Sequence, residues 1–360
     1  MQVKDLRSMS GEELALWLQE LGQPRFRAGQ LFGWLHKRPA ERFDQMSNLP
    51  RSLTELLEEQ AVLSELSIRR KLVSALDGTV KYLFALPDGE LVETVVMDYR
   101  HGSSICLSTQ VGCRMGCAFC ASTKAGFVRN LAPSEILGQL YQAERDLGRP
   151  VGSVVLMGIG EPLDNFDNVI RFLSLLSDEN GRNLSLRHVS LSTCGLVDRI
   201  RKLAELRLQL TLSVSLHAPN DAIRAQTMPV ARRYGIDALL DACRDYAGDT
   251  GRRISFEYAL IRGVNDSRAC AEELAARLKA RGGGGWCHVN LIPVNEIRET
   301  DYRRAERQRI ASFQGWLGER GINATVRRTL GADISAACGQ LRREEQAAQP
   351  GKYGKKEDLP

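Results

Sequence analysis

No uninterrupted apolar run in the 360 residues approaches the roughly 18 that a membrane-spanning helix needs, so a helical passage through a bilayer is excluded. The opening residues, MQVKDLRSMS, lack the apolar core of a secretory signal, and the expected location is the cytoplasm. A disulfide framework is also excluded. The nine cysteines are odd in number and scattered through a long chain, and in a reducing compartment the clustered ones point to metal binding or catalysis. Neither sign of charge is in large excess: 49 Lys and Arg against 44 Asp and Glu leave +5, which permits a nucleic-acid partner without requiring one. One further absence is local. The stretch VGCRMGCAFC, residues 111 to 120, carries Cys113, Cys117 and Cys120 at a C-x3-C-x2-C spacing, with no fourth cysteine beside them.

A closed structural zinc site takes four protein ligands, and an electron-carrying [4Fe–4S] cluster takes one thiolate per iron. Three thiolates leave a coordination position open, where a small molecule can bind. Two readings fit the spacing: a cluster that does chemistry at its open position, or a zinc site whose fourth ligand is a distant Cys or His.

Residues 1–68 read as a small, separate helical domain. Ser10 and Glu13 form a capping box ahead of Leu14, Trp17, Leu18 and Leu21, and Gly22 with Pro24 ends that helix. FRAGQLFGWLHK and RSLTELLEEQ supply two more helices. Residues 69–100 read as a β-hairpin extension, with KYLFAL and LVETVVM set between the turn dipeptides Asp77-Gly78 and Asp88-Gly89. Between residues 101 and 343, strand-like runs (SSICLST, GSVVLMG, RHVSLST, QLTLSVSL, RISFEYAL, CHVNLIPV, NATVRR) alternate with helix-length segments. That alternation predicts an α/β fold with a parallel sheet, an incomplete (β/α)6 barrel. The tail 344–360 is polar and aperiodic, and disorder is expected there. The basic clusters at Arg69 to Lys71, Arg327 with Arg328, and Arg342 with Arg343 could contact phosphate or could be solvated surface.

In such a barrel the chemistry sits at the C-terminal ends of the strands. The cysteine loop directly follows the first barrel strand. MGIGEPL follows the next, where Gly158 and Gly160 allow close backbone approach to a ligand and Glu161 offers a carboxylate to an amino group. STCG (Ser192 to Gly195), SLHAP (Ser215 to Pro219) and LIPVN (Leu291 to Asn295) end later strands in small polar groups or His. Singly, each could merely cap the next helix; together they converge on one rim. Cys194, Cys243, Cys270 and Cys287 read as small buried hydrophobes. Cys106 enters the cluster loop, and Cys338 in DISAACGQL lies among small residues that permit close approach.

C-x3-C-x2-C followed by a Gly-Glu motif resembles the radical S-adenosylmethionine (SAM) enzymes. More narrowly, TQVGCRMGCAFC, MGIGEPLDN, SLHAPN, VNLIPVN and DISAACGQL, in this order, resemble the RNA methyltransferases of the RlmN type, from about residue 10 to 343. The resemblance implies a radical-SAM type barrel and one [4Fe–4S] cluster held by Cys113, Cys117 and Cys120, with SAM filling the open position. It implies SAM contacts at Gly160, Glu161, Ser192, Ser215, Leu216, His217 and Asn295, with two SAM molecules used per turnover. It makes Cys338 the methyl-carrying cysteine, Cys106 its resolving partner and Glu93 the proton acceptor; by pattern alone, Glu93 on an alternating strand would be a solvated face residue. STCG and DISAACG stand where many members read STSG and DIDAACG, so Cys194 adds a thiol near the cofactor.

The same resemblance implies the chemistry. Adenine C2 carries an inert C–H bond on an electron-poor ring, so a nucleophilic route to a SAM methyl is closed and cofactor-borne radical chemistry is needed. One SAM methylates Cys338, and a second is cleaved to a radical that takes a hydrogen from that methyl. The methylene adds to C2, the C2 proton leaves to Glu93, and Cys106 attacks the thioether sulfur, leaving a disulfide that a reductant must reopen. The implied substrates are an adenosine of 23S rRNA near the peptidyl-transferase centre and the adenosine next to the tRNA anticodon. An external flavodoxin-like electron donor, a monomer and no membrane partner are also expected. Two alternatives compete: the sister activity at adenosine C8, and a non-catalytic RNA-binding protein with structural zinc, which would be colourless where a cluster is brown.

Overall fold

The computed structural model describes residues 3–100, 102–124, 126–282, 284–294, 301–334, 341, 342, 344 and 345. Helices α1 (Gly11–Glu20), α2 (Phe26–Phe32) and α3 (Arg51–Gln60) come first. The capping box that starts α1 is formed in both directions: the Glu13 N–H donates to Ser10 Oγ at 3.2 Å and the Ser10 N–H donates to Glu13 Oε2 at 2.7 Å. Four antiparallel strands follow, β1 (Ser67–Val73), β2 (Val80–Ala85), β3 (Leu91–Tyr99) and β4 (Gly102–Cys106). From β4 onward the sheet is parallel: β5 (Ser153–Leu156), β6 (Val189–Thr193), β7 (Thr211–Ser215), β8 (Ile254–Leu260), β9 (Cys287–Pro293) and β10 (Ala324–Val326).

Every crossover in that parallel run carries helix: α4 (Pro133–Leu147), α5 (Phe166–Ser177), α6 (Val197–Glu205), α7 (Asp221–Thr227) with α8 (Ile236–Thr250), α9 (Arg268–Lys279) and α10 (Arg307–Glu319). The ten strands lie side by side in chain order, with β1 and β10 as the two edges, so the barrel is open. The expected incomplete α/β barrel is present. Its antiparallel extension is not a free hairpin, because β1 to β3 continue the same sheet through β4.

One apolar core runs from the N-terminal helices through the barrel: Leu14, Leu31 and Leu57 belong to the same buried cluster as Ile136, Phe172 and Leu240. The N-terminal helices are therefore docked on the barrel. Polar contacts fix the docking: Ser134 Oγ donates to Asp5, Arg171 pairs with Glu13 at 2.7 Å, and His36 Nδ1 lies 3.0 Å from the Tyr141 hydroxyl.

Of the basic clusters read as phosphate contacts or solvated surface, four residues pair within the chain, and Arg343 lies outside the described residues. Arg69 pairs with Glu345, Arg70 with Glu344 and Lys71 with Asp146. Arg342 is 2% exposed and paired with Glu90, so it is part of the packing and no surface contact for RNA.

Candidate active site

The C-terminal ends of the parallel strands and the cysteine loop enclose a cavity of about 280 Å³. Cys113, Cys117, Cys120, Gly160, Glu161, Ser192, Ser215 and His217 all line it. These positions lie as far apart as 104 residues in sequence and meet because each ends a parallel strand or begins the loop after it. Leu216 is buried beside the cavity and does not line it. Asn295 and Cys338 lie outside the described residues.

Backbone contacts hold the cysteine loop. The Ala118 N–H donates to the Thr227 carbonyl at 2.8 Å, and Thr123 Oγ1 donates to the Cys117 and Cys120 carbonyls. Burial pushes the Cys113 thiol up to about 12 and the Cys117 thiol up as well, and neighbouring thiolates add to both shifts. Cys113 is buried and Cys117 and Cys120 are half-buried, and as thiolates facing one cavity they would repel one another unless a cation stood between them. Among the described residues, no three His, Cys, Asp or Glu side chains converge on a single ion position. Three thiols on one loop supply donors for three irons of a cluster and leave one position open to the cavity. The donor set fits a three-cysteine [4Fe–4S] site.

The turn after β5 is built against the segment before the cysteines. Gln110 Oε1 accepts the Glu161 N–H at 2.9 Å, and a Cβ on Gly160 would lie 2.7 Å from Gln110 Cβ and 2.8 Å from its N. Gly160 also has φ of +111°, which L side chains rarely adopt. A Cβ on Gly158 would meet the Leu107 carbonyl at 2.6 Å. Both glycines therefore permit the close approach expected of them, but to the chain before the cysteine loop.

Glu161 is buried, and burial raises its pKa. Its Oε2 accepts the Cys194 N–H at 2.7 Å and its Oε1 accepts the Leu163 N–H at 3.1 Å. The backbone thus fixes the carboxylate while it faces the cavity. His217 is in the left-handed region with φ of +56°. Its Nδ1 accepts the Ala259 N–H at 2.9 Å, which places the ring proton on Nε2. Burial, with a smaller push from Arg224, lowers its pKa to about 3, so the ring is a neutral hydrogen-bond donor at pH 7.

Two lining or supporting groups, Glu257 and Arg224, are absent from the sequence reading, and a third, Arg327, was read there only as part of a basic cluster. Glu257 on β8 lines the cavity, buried, and accepts from Ser255 Oγ at 3.0 Å and Asn290 Nδ2 at 2.8 Å. A carboxylate between Phe256 and Tyr258 in a strand otherwise apolar was its signal. Arg327 lines the same wall. Arg224 lies behind it, fully buried. Cys194, Cys243, Cys270 and Cys287 are all buried as expected, and Cys194 also lines the cavity.

Cys106 and Glu93 share one face of the sheet next to the cavity. Val95 pairs with Cys106, and Leu83 pairs with Glu93, so Lys81, Leu83, Glu93, Val95 and Cys106 point the same way. Cys106 forms a small buried cluster with Val95 and Met97, and Met157, which lines the cavity, packs against that cluster. Glu93 is 3% exposed, and the solvated-face reading of its pattern is corrected. Its Oε2 lies 3.1 Å from Lys81 Nζ, and its Oε1 accepts the Arg342 N–H at 2.7 Å. The covering comes from the far end of the chain, where Leu341 packs on Leu83 and Leu91.

Comparison with known proteins agrees with this geometry. Residues 107–275 match the model of the radical SAM superfamily, and residues 4–63 match the ribosomal RNA large subunit methyltransferase N-terminal domain. A Lachnospira eligens protein described as a "probable dual-specificity RNA methyltransferase RlmN" is 50% identical over 338 residues, 94% of this chain and 95% of its own length. A Clostridium novyi protein of the same description is 50% identical over 341 residues, 95% of this chain and 98% of its own. The crystal structure of a radical SAM methyltransferase from Sphaerobacter thermophilus superposes with a TM-score of 0.88 at 44% identity, covering 94% of this chain and 98% of that one.

Proposed function

The chain belongs to the radical SAM RNA methyltransferases of the RlmN type, and we propose that it methylates C2 of adenosine 2503 in 23S rRNA and of adenosine 37 in tRNA. The observation that carries this reading is the convergence of Cys113, Cys117, Cys120, Glu161 and His217 on one cavity, with Met157 of its wall packed against the small cluster that holds Cys106. The bound cluster and SAM supply the electron, the radical and the methyl group.

The chain's own residues do the rest. Cys113, Cys117 and Cys120 bind one iron each. Glu161, fixed by two backbone N–H groups, receives the SAM amino group, and His217 donates from Nε2. Gly160, Ser192, Ser215, Leu216 and Asn295 complete the SAM contacts. Cys338 carries the methyl group, bonds through it to adenine C2 and must start each turnover as a thiolate. Glu93 takes the C2 proton beside the Lys81 ammonium, which stabilises its carboxylate. Cys106 then attacks the Cys338 sulfur: an S–S bond forms, the S–C bond breaks, its electron pair stays with the product carbon, which takes up a proton to become the methyl group, and the odd electron from the radical addition would pass back to the cluster. A dithiol reductant reopens the disulfide, and a flavodoxin-like donor supplies the electron. Two SAM molecules are consumed per turnover, and the protein acts as a monomer. An adenosine in a loop is the cheaper substrate, because an unpaired base costs less to extrude.

Mass spectrometry of rRNA and tRNA from a deletion strain, with and without the gene restored, tests the assignment. The gene should restore 2-methyladenosine at both positions. Appearance of 8-methyladenosine instead would assign the sister activity, and no methylation in either RNA would remove the enzymatic reading.

A further inference from the structure

Arg224 sits on α7 with no exposed surface. Its Nη2 donates to the Cys194 carbonyl at 2.6 Å and to the Ser215 carbonyl at 3.4 Å, and its Nε donates to the Leu216 carbonyl at 3.2 Å. One guanidinium thereby ties the turn after β6 to the turn after β7. The same helix holds a third turn: the Thr227 carbonyl, three residues on, accepts the Ala118 N–H of the cysteine loop. Pro229, just beyond, would lie 3.3 Å from a Cβ on Gly116 of that loop.

The charge of this group is unusual. Every acceptor it has among the described residues is a backbone carbonyl, and none is a carboxylate. An isolated buried cation costs several kcal/mol unless an anion lies close by. The position of Arg224 puts it beside the cysteine loop: the Cys194 carbonyl it holds belongs to a residue lining the same cavity as Cys113, Cys117 and Cys120, and its own helix accepts the N–H of Ala118, next to Cys117. Three thiolates on a [4Fe–4S] core form a net negative group, which becomes more negative on reduction.

We propose that Arg224 is a positioning residue with two separable roles: its charge stabilises the reduced cluster held by Cys113, Cys117 and Cys120, and its fork of N–H donors holds the two SAM-binding turns in register. The proposal rests on the three-cysteine cluster reading and goes beyond it by assigning the cation that sets the cluster's reduction potential. A neighbouring positive charge favours the form with one more electron, so its removal shifts the potential negative. The loss of the fork frees the Cys194 and Leu216 carbonyls and loosens the walls around SAM.

The test uses full-length protein reconstituted anaerobically with ferrous iron and sulfide. Absence of a broad band at about 400 nm from the wild-type protein would overturn the cluster reading itself, independently of Arg224. With the cluster present, redox titration followed by electron paramagnetic resonance and equilibrium binding of SAM separate the two roles. Arg224→Gln should shift the potential negative and raise the SAM Kd about tenfold, or 1.4 kcal/mol. Arg224→Lys should keep the potential near wild type and still weaken SAM binding. Loss of the cluster from Arg224→Gln but not from Arg224→Lys also supports the proposal, because charge separates the two variants. Equal potential shifts in both, loss of the cluster from both, or wild-type behaviour in Arg224→Gln would overturn it.

Discussion

Lys81→Met removes the cation of a buried ion pair whose side chains are 1% and 3% exposed and whose charged atoms are 3.1 Å apart. Such a change leaves the buried Glu93 carboxylate without that cation, and breaking a buried pair from one side costs about 3 to 5 kcal/mol. Glu93 keeps the Arg342 N–H as a donor, so the lower end, about 3 kcal/mol, applies. At roughly 2.1 cal/mol/K of unfolding entropy per residue, this corresponds to about 4 °C in the unfolding midpoint of the 360-residue cluster-free chain. Lys81→Met/Glu93→Leu removes both charges and should recover all but about 1 kcal/mol, the part belonging to the Arg342 N–H. Differential scanning fluorimetry on the three proteins, with circular dichroism to confirm folding, reads the cycle. A midpoint for Lys81→Met within 1 °C of wild type would mean that Glu93 reaches water, and the packing of Leu341 and Arg342 over β2 and β3 would be refuted.

Gly160→Ala combines a forbidden φ with a Cβ 2.7 Å from Gln110 and should cost about 3 kcal/mol and most SAM affinity, by fluorimetry and equilibrium binding; wild-type stability would show that the turn after β5 is loose. Burial holds His217 and His36 neutral, with folded pKa values of about 3 against an ordinary 6.5. The unfolded chain therefore binds more protons below 6.5, so their contribution is full above that pH and declines as pH falls toward 3. His217→Gln and His36→Gln should each flatten the fall of the unfolding midpoint between pH 7 and 5; an unchanged slope would place the rings in solvent. Replacing Cys113, Cys117 and Cys120 by Ala should abolish iron binding and SAM cleavage, and full iron content measured in that variant would contradict the cluster assignment.

The parts of this architecture set by local rules were legible in the sequence. Alternation in RISFEYAL and CHVNLIPV marks strands because residues two apart share a face, and the capping box at Ser10 starts a helix wherever it stands. The cysteine spacing is likewise contained within ten residues. What was not legible depends on distant chain. Glu93 looks solvated on its strand and is buried by residues about 250 positions later. SIRRKLV reads as a basic patch because β1 is an edge strand exposed on both faces, so its alternation is weak. Arg224 on a seven-residue helix looks like any surface cation until the turns after β6 and β7 close over it.

In the proposed reaction, RNA methylation proceeds through a covalent bond from Cys338 to adenine that Cys106 breaks. Cys106→Ala leaves Cys113, Cys117, Cys120 and the cavity lining untouched and removes only a thiol of the small cluster against which Met157 packs. Expressed in cells, it should accumulate as a protein–RNA adduct that migrates slowly on a denaturing gel and collapses on ribonuclease treatment. Cys106→Ala/Cys338→Ala should show no such band. A single variant that turns over normally with no adduct, or an adduct that persists in the double variant, would contradict the account.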